Sequence, residues 1–306
     1  MNESIRQKTV VGLRHACKGL VAAAAMFTGV TSAAELPEVN WRMQALWDAG
    51  TTPYEFEKRF VSRVSELTNG QFTIRLFAGG QLAPSAQAFE AVRGGEFARE
   101  AYAKAGLFYI APTVYGQEPI HSKFPINTLG DVEGKKGRFV GLASTVMAEF
   151  GVSTTPLPTA EVYQALEKGV IDFADRGDLT ANLEAGLGEV AKYVIVPGFH
   201  QPTTATSYVA NQRAYDKLPD SYKAALESAA REVSAALRQH NVAQDAVALK
   251  KFEEQGAEII HLDANTVAQG RPTAMKAWEK AAGDDELANK VLDSQVEFMK
   301  ELGLLE

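Results

Sequence analysis

Between residues 134 and 174 the hydrophobic pattern switches repeatedly between two periods. Short apolar runs at 138–141, 153–157 and 170–174 read as strands. Residues 144–150 and 161–168 read as helices, the second with Val162, Ala165 and Leu166 on one face. Gly151 and Gly169 close the two helices, Pro158 ends the middle strand, and Thr159 stands where an N-cap belongs. Strand, helix, strand, helix, strand at this spacing predicts parallel pairing through helical crossovers. Ligands of such sheets gather at the carboxyl ends of the strands. Asp175 and Arg176, just past one strand end, are therefore candidates for function, and Arg138 is expected at the start of the first strand.

A comparable unit precedes this stretch. Residues 41–47 read as a strand and 54–67 as a helix, with Phe56, Phe60, Val61, Val64 and Leu67 at helical spacing. Residues 71–77 alternate Phe72, Ile74 and Leu76 with Thr73 and Arg75, a strand pattern. Helices are expected at 85–93 and 97–104, a strand at 107–111, and irregular chain over 112–123. Beyond Asp175 the pattern predicts a short helix at 179–184 and strands at 190–196 and 203–210. Pro219 then opens a helical pattern that reaches Gln255 without glycine or further proline. As one helix of roughly 37 residues it would run about 55 Å, enough to cross two small lobes. A break near His240–Asn241 is the alternative. A strand at 257–262 and helices at 274–280 and 286–302 close the chain. The expected organisation is α/β with two lobes: 38–95 with about 203–218 as lobe I, 97–200 as lobe II, and 219–306 as a helical segment bridging and closing both.

Composition agrees with a folded chain, 46% apolar and 23% charged over 306 residues. Residues 1–34 differ in kind. Arg6, Lys8, Arg14 and Lys18 precede the apolar run 20–30, and small residues 31–34 follow, so 1–34 reads as a signal peptide for export to a periplasm. The run is too short to span a bilayer, which argues against direct membrane insertion. Cys17, the one cysteine, lies inside this leader, leaving the remainder without disulfides or thiolate metal ligands. The whole chain carries −7; the leader holds four basic groups and one acid, Glu3, so the remainder carries −10. That balance disfavours nucleic acid and anionic membranes as partners.

Catalytic signatures are absent: no phosphate loop, dinucleotide fingerprint, HExxH or GxSxG. His15, His121, His200, His240 and His261 are scattered away from metal-ligand spacing and read as surface or capping groups, so no metal site and no cofactor are expected. Asp172 and Asp175, three apart on a strand, point to opposite faces and make a poor acid–base pair. Arg138 is more informative. A guanidinium grips a carboxylate through two nitrogens and stays charged when partly buried, so Arg138 reads as an anion clamp or, alternatively, a solvated strand-edge residue. Arg176 divides equally between ligand contact and an ion pair with Asp175. Tyr54, beside the first strand–helix turn, is placed to close a pocket from the other lobe.

Several motifs together resemble one family. They are Phe77-Ala-Gly-Gly-Gln-Leu82 with Phe89-Glu-Ala-Val92, Pro125-Ile-Asn127 before Asp131-Val-Glu-Gly134, and Arg138 with Gly141. Glu161-Val-Tyr-Gln-Ala-Leu166, Gly169-Val-Ile-Asp172, Glu189-Val-Ala-Lys-Tyr193 and Pro197-Gly-Phe-His200 complete the set. In order and spacing the chain resembles the DctP-type solute-binding proteins of tripartite ATP-independent periplasmic (TRAP) transporters. The resemblance implies a hinged, two-lobe binding protein of type II-like architecture with a long helix bracing both lobes. It implies a small organic acid as ligand, gripped by Arg138, with contacts from Asp175, Arg176 and Gln201, and delivery to the membrane subunits of a TRAP transporter. A second basic group at Arg176 points toward a diacid or hydroxyacid, and beside the short Asp175 it disfavours, without excluding, the bound cation that the matching acidic residue helps hold in some relatives.

The chain departs from the family pattern near Gly95, where Ala91-Val-Arg-Gly-Gly95 joins almost directly to the helical pattern from Phe97. A block that supplies a central strand and a lobe connection is missing there. A non-binding paralogue therefore stands beside transport, and two readings from other classes stand independently of the gap: a ligand sensor that docks without transport, and an enzyme built on Asp172 or Asp175.

Overall fold

The computed structural model describes residues 36–79, 81, 95–201 and 203–305. The expected signal peptide and the helix expected at 85–93 lie outside the described residues. Strand β1 (Val39–Gln44) leads into helix α1 (Thr52–Leu67), which has Pro53 in its first turn and buries Phe56, Phe60 and Val64. Strand β2 (Phe72–Phe77) returns parallel to β1, Trp41 opposite Ile74. The β1–α1–β2 crossover is what the alternation over 71–77 predicted.

Helix α2 (Gly95–Lys104) is followed by β3 (Leu107–Gln117) and β4 (Ile120–Ser122). The irregular segment expected over 112–123 is therefore mostly strand. Pro112 does not end β3, because a two-stranded sheet has open edges at which a missing N–H is tolerated. β3 pairs antiparallel with β9 (Thr203–Asn211), Pro112 opposite Ser207. Residues 97–117, grouped with lobe II on the sequence, thus pack with the first lobe: Ile110, Ala111 and Tyr115 share a core with Trp47, Phe60, Phe72 and Tyr208.

The second lobe holds the opening motif. β5 (Lys136–Arg138), α3 (Gly141–Glu149), β6 (Ser153–Thr154), α4 (Val162–Glu167) and β7 (Phe173–Ala174) form the predicted crossovers, with β5 parallel to both β6 and β7. The strands are shorter than the apolar runs suggested, and a single 3-10 turn (Thr159–Glu161) precedes α4, where Thr159 does not serve as the cap. Short helices α5 (Leu179–Glu184) and α6 (Leu187–Val190) then lead to β8 (Tyr193–Val196). With β10 (Glu258–His261) the six-stranded order is β10-β8-β4-β7-β5-β6. Phe139, Phe173, Ile195 and Met147 fill its core.

After β9 the one-turn α7 (Gln212–Asp216) precedes α8 (Asp220–Glu254), 35 residues in one unbroken helix. Its first half buries Tyr222, Leu226, Ala230 and Leu237 in the first core, and its second half buries Ala248 and Phe252 in a cluster with Val194 and Val196 of β8. The break weighed at His240–Asn241 does not occur. Asn241 is fully buried and spends its side-chain amide on Asp178, so it does not compete with the helix backbone. Helices α9 (Ala264–Gln269), α10 (Arg271–Ala282) and α11 (Glu286–Glu301) complete the chain. No helix among the described residues is long and apolar enough to cross a membrane.

Candidate functional site

Arg138 is the last residue of β5, not the first of a strand as the sequence suggested. Two glycines explain the offset. A Cβ on Gly137 would stand 2.7 Å from the Phe139 ring and 2.9 Å from Phe173, so only glycine lets those rings pack over the strand. Gly141 has φ +58°, a left-handed turn that starts α3 and ends any extension beyond Val140. From the carboxyl end of β5 the chain crosses to β6 on one side, and from that of its neighbour β7 it leaves through α5 and α6 toward β8 on the other. Such a switch point opens a crevice at the carboxyl end of the strand. Arg138 stands there.

Asp175 follows β7, next to β5, and its N–H donates to the Arg138 carbonyl at 3.2 Å. The Arg138 guanidinium turns back across this rung. Nη1 donates to Asp175 Oδ1 at 2.8 Å and to its carbonyl at 3.1 Å, while Nε donates to the Leu157 carbonyl at 3.0 Å. Both side chains are buried, 5% and 1% exposed, so the pair is an ion pair out of water. Nη2 carries no hydrogen bond among the described residues.

His200 closes the other side. Its Nε2 is 3.2 Å from Asp175 Oδ2, its ring meets Phe139 edge-on, and its side chain is fully buried. Neither ring nitrogen of His200 makes a hydrogen bond, nor does Asp175 Oδ2; the two groups are close but not aligned. Glu118, between β3 and β4, is buried and accepts from Gln201 Nε2 at 2.6 Å. The structure thus gathers Arg138, Asp175 and, through Glu118, Gln201. His200 and Glu118 were missed. Histidines read as surface groups on spacing alone turn out to be buried at both His121 and His200, and Glu118 sat in a stretch taken for loop.

Arg176 joins the lobes. Its Nη1 donates to the Ala181 carbonyl at 3.2 Å and Nη2 lies 3.6 Å from Asp48, in the loop after β1. It pairs with Asp48 and not, as weighed from the sequence, with Asp175. Burial lowers its pKa, with Asp48 opposing that shift and Arg138 adding to it. Nearby, Trp47 Nε1 donates to the Tyr115 hydroxyl at 2.6 Å, and the Trp47 ring rests on Gly177, where a Cβ would stand 2.8 Å away. Tyr54 packs in the first core with the Lys58 ammonium over its ring and makes no hydrogen bond to these residues.

Glu118, Asp175 and His200 each offer one ligand atom, all within 4.8 Å of one another. The set is two carboxylates and one imidazole, the kind borderline divalent ions take. It fits poorly to sodium or calcium, which prefer oxygen throughout, and Glu118 and Asp175 already face an amide and a guanidinium. Two surface grooves of about 320 and 250 Å³ lie elsewhere, lined by Trp41 with Arg213 and by Gln164 with Lys168.

Two α/β cores tied by one long helix, with a buried arginine at the switch point of the larger sheet, define a two-lobe binding protein. The chain belongs to the bacterial extracellular solute-binding protein family 7, DctP, whose family model matches residues 43–112 and 96–284. The monocarboxylate 2-oxoacid-binding periplasmic protein of Nostoc sp. is 24% identical over 314 aligned positions, covering 88% of this chain and 86% of the relative. A TRAP transporter solute-binding protein from Pseudoalteromonas atlantica with bound sodium and pyruvate superposes with a TM-score of 0.76 at 22% identity, covering 87% and 95%. One from Bordetella bronchiseptica, with calcium and picolinate in its bound site, gives 0.74 at 24%, covering 86% and 94%. The 314 aligned positions exceed the residues this chain contributes, and the two family-model segments overlap over 96–112.

Proposed function

We propose that this chain captures a small organic acid in the periplasm and delivers it to the membrane subunits of a TRAP-type transporter. The observation that carries the reading is Arg138, a buried guanidinium at the switch point with its Nη2 unengaged. Charge-assisted pairing to a carboxylate is the recognition that such a group performs best. Relatives that hold 2-oxoacids, pyruvate and picolinate support a carboxylate, and make 2-oxoacids the first ligands to examine. Hinge closure about α8 would follow binding, with the ligand stabilising the closed state.

Thermal unfolding against a panel of mono- and dicarboxylates tests the reading. A ligand at about 100 times its dissociation constant adds about 2.7 kcal/mol to stability. A selective upward shift in Tm supports capture and names the acid class. No shift with any member supports the non-binding paralogue, and turnover of an added acid in proportion to protein supports an enzyme. A shift without co-purification of transporter subunits supports a sensor.

A further inference from the structure

Two buried polar atoms in the site face each other without a hydrogen bond. Asp175 Oδ2 and His200 Nε2 are 3.2 Å apart, close enough to bond and not oriented to do so. The other carboxylate oxygen, Oδ1, is meanwhile held by Arg138 Nη1 at 2.8 Å. Buried polar groups left unmatched carry a desolvation cost, so an unused donor beside an unused acceptor calls for a role. Turning the Asp175 carboxylate from one neighbour to the other would satisfy both.

We propose that Asp175 is a resident occupant of the Arg138 clamp, and that an incoming ligand carboxylate displaces it onto His200. The inference rests on the carboxylate reading above. With the site empty, Asp175 neutralises a guanidinium only 5% exposed, which would otherwise be an uncompensated buried cation. The Asp175 backbone is fixed by its own bond to the Arg138 carbonyl, so the exchange needs only its side chain to move. A ligand carboxylate enters on Nη2, the nitrogen left without a partner, and becomes bidentate by taking Nη1 from Asp175. The released aspartate then accepts from the His200 ring N–H. Nothing covalent changes; one ion pair is traded for another.

The exchange sets selectivity. Asp175 is tethered to its guanidinium, so a free anion must outcompete an intramolecular one. An ion that touches a single nitrogen, such as chloride, gains too little. A planar carboxylate that grips two nitrogens gains enough. Asp175 and His200 are thus specificity-determining residues, one as competitor and the other as the place the competitor goes.

Calorimetric titration with acetate, pyruvate and picolinate tests this on the native protein and on Asp175→Asn, His200→Leu, the double variant and Arg138→Ala. Removing the competitor should tighten binding by about tenfold or more, the worth of a charge-assisted hydrogen bond. His200→Leu should weaken it by about tenfold. In the Asp175→Asn background His200→Leu should have no further effect. Weaker binding by Asp175→Asn, or an equal effect of His200→Leu in both backgrounds, overturns the exchange alone if Arg138→Ala still weakens binding by tenfold or more. Binding that Arg138→Ala leaves unweakened, or no binding of any acid to the native protein and every variant, overturns the carboxylate reading and the exchange with it. Should Asp175→Asn fail to fold, the His200 ring nitrogen resonances decide: they should move when acetate saturates the native site, and unmoved resonances at saturation overturn the exchange.

Discussion

Asn241, at the middle of α8, donates its side-chain amide to Asp178 Oδ2 at 2.8 Å with both groups buried. Asp178 is also the N-cap of α5, its Oδ1 accepting from the Ala181 N–H at 2.8 Å. The Gly116 N–H, from the end of β3, bonds the same carboxylate, and a Cβ at Gly116 would lie 2.9 Å from Asn241 and 3.3 Å from Asp178. One aspartate therefore joins the strand that leaves the first core, a helix of the second, and the helix that spans both.

Asn241→Leu should be destabilising out of proportion to its size. It leaves a buried carboxylate short of one donor, which costs about 1.5–3 kcal/mol for a charged acceptor. Urea unfolding of the variant measures this. A change under about 0.5 kcal/mol would show that water replaces the amide and that the clasp is not closed.

Arg138→Ala should lose carboxylate binding by tenfold or more and also lower stability, since Asp175 becomes a buried charge without its partner, an event that costs about 3–5 kcal/mol. Arg138→Lys should recover part of the stability but little of the affinity, because an ammonium cannot grip two oxygens in a plane. Calorimetry and chemical unfolding on the same samples separate the two effects.

Stability should fall as pH rises through 6 and 7, against the usual trend. Burial pushes the Glu57 carboxyl from 4.5 up to about 7, with a hydrogen bond from Tyr208 opposing the shift. Burial first, and Asp178 second, push Asp245 from 3.8 up to about 6. The folded chain therefore holds protons that the unfolded chain has released, and their stabilisation is complete below about pH 4 and lost above 7. Glu57 dominates, being more deeply buried, with an effect of up to about 3 kcal/mol. Glu57→Gln keeps an acceptor for Tyr208 and should flatten the dependence between pH 5 and 8. An unchanged slope in urea midpoints would show that Glu57 is not the group responsible.

Gly177→Ala should displace Trp47. The new methyl would stand 2.8–2.9 Å from two ring carbons, and overpacking of this kind costs about 1–3 kcal/mol. Trp47 would lose its bond to Tyr115, so tryptophan emission should shift together with the fall in Tm. Stability lost without any spectral change would place the strain elsewhere.

The sequence by itself determined the elements whose cause is local. The period of 3.6 over 54–67, the alternation over 71–77, the glycine stops at 151 and 169, and the glycine-free run from 219 to 255 each depend on residues near in the chain, and each predicted element formed. It also marked Arg138, because a guanidinium inside an apolar run is anomalous wherever the strand begins. What required tertiary structure was set by distant residues. Whether 112–117 is strand depends on β9, some 90 positions later, supplying its hydrogen bonds. Whether Asn241 breaks a helix depends on Asp178 waiting to receive it. His200 and Glu118 carry no local signature, since burial is decided by what packs around a residue and not by its neighbours in sequence. The partner of Arg176 was decided the same way, because Asp48 reaches it only when the two lobes meet.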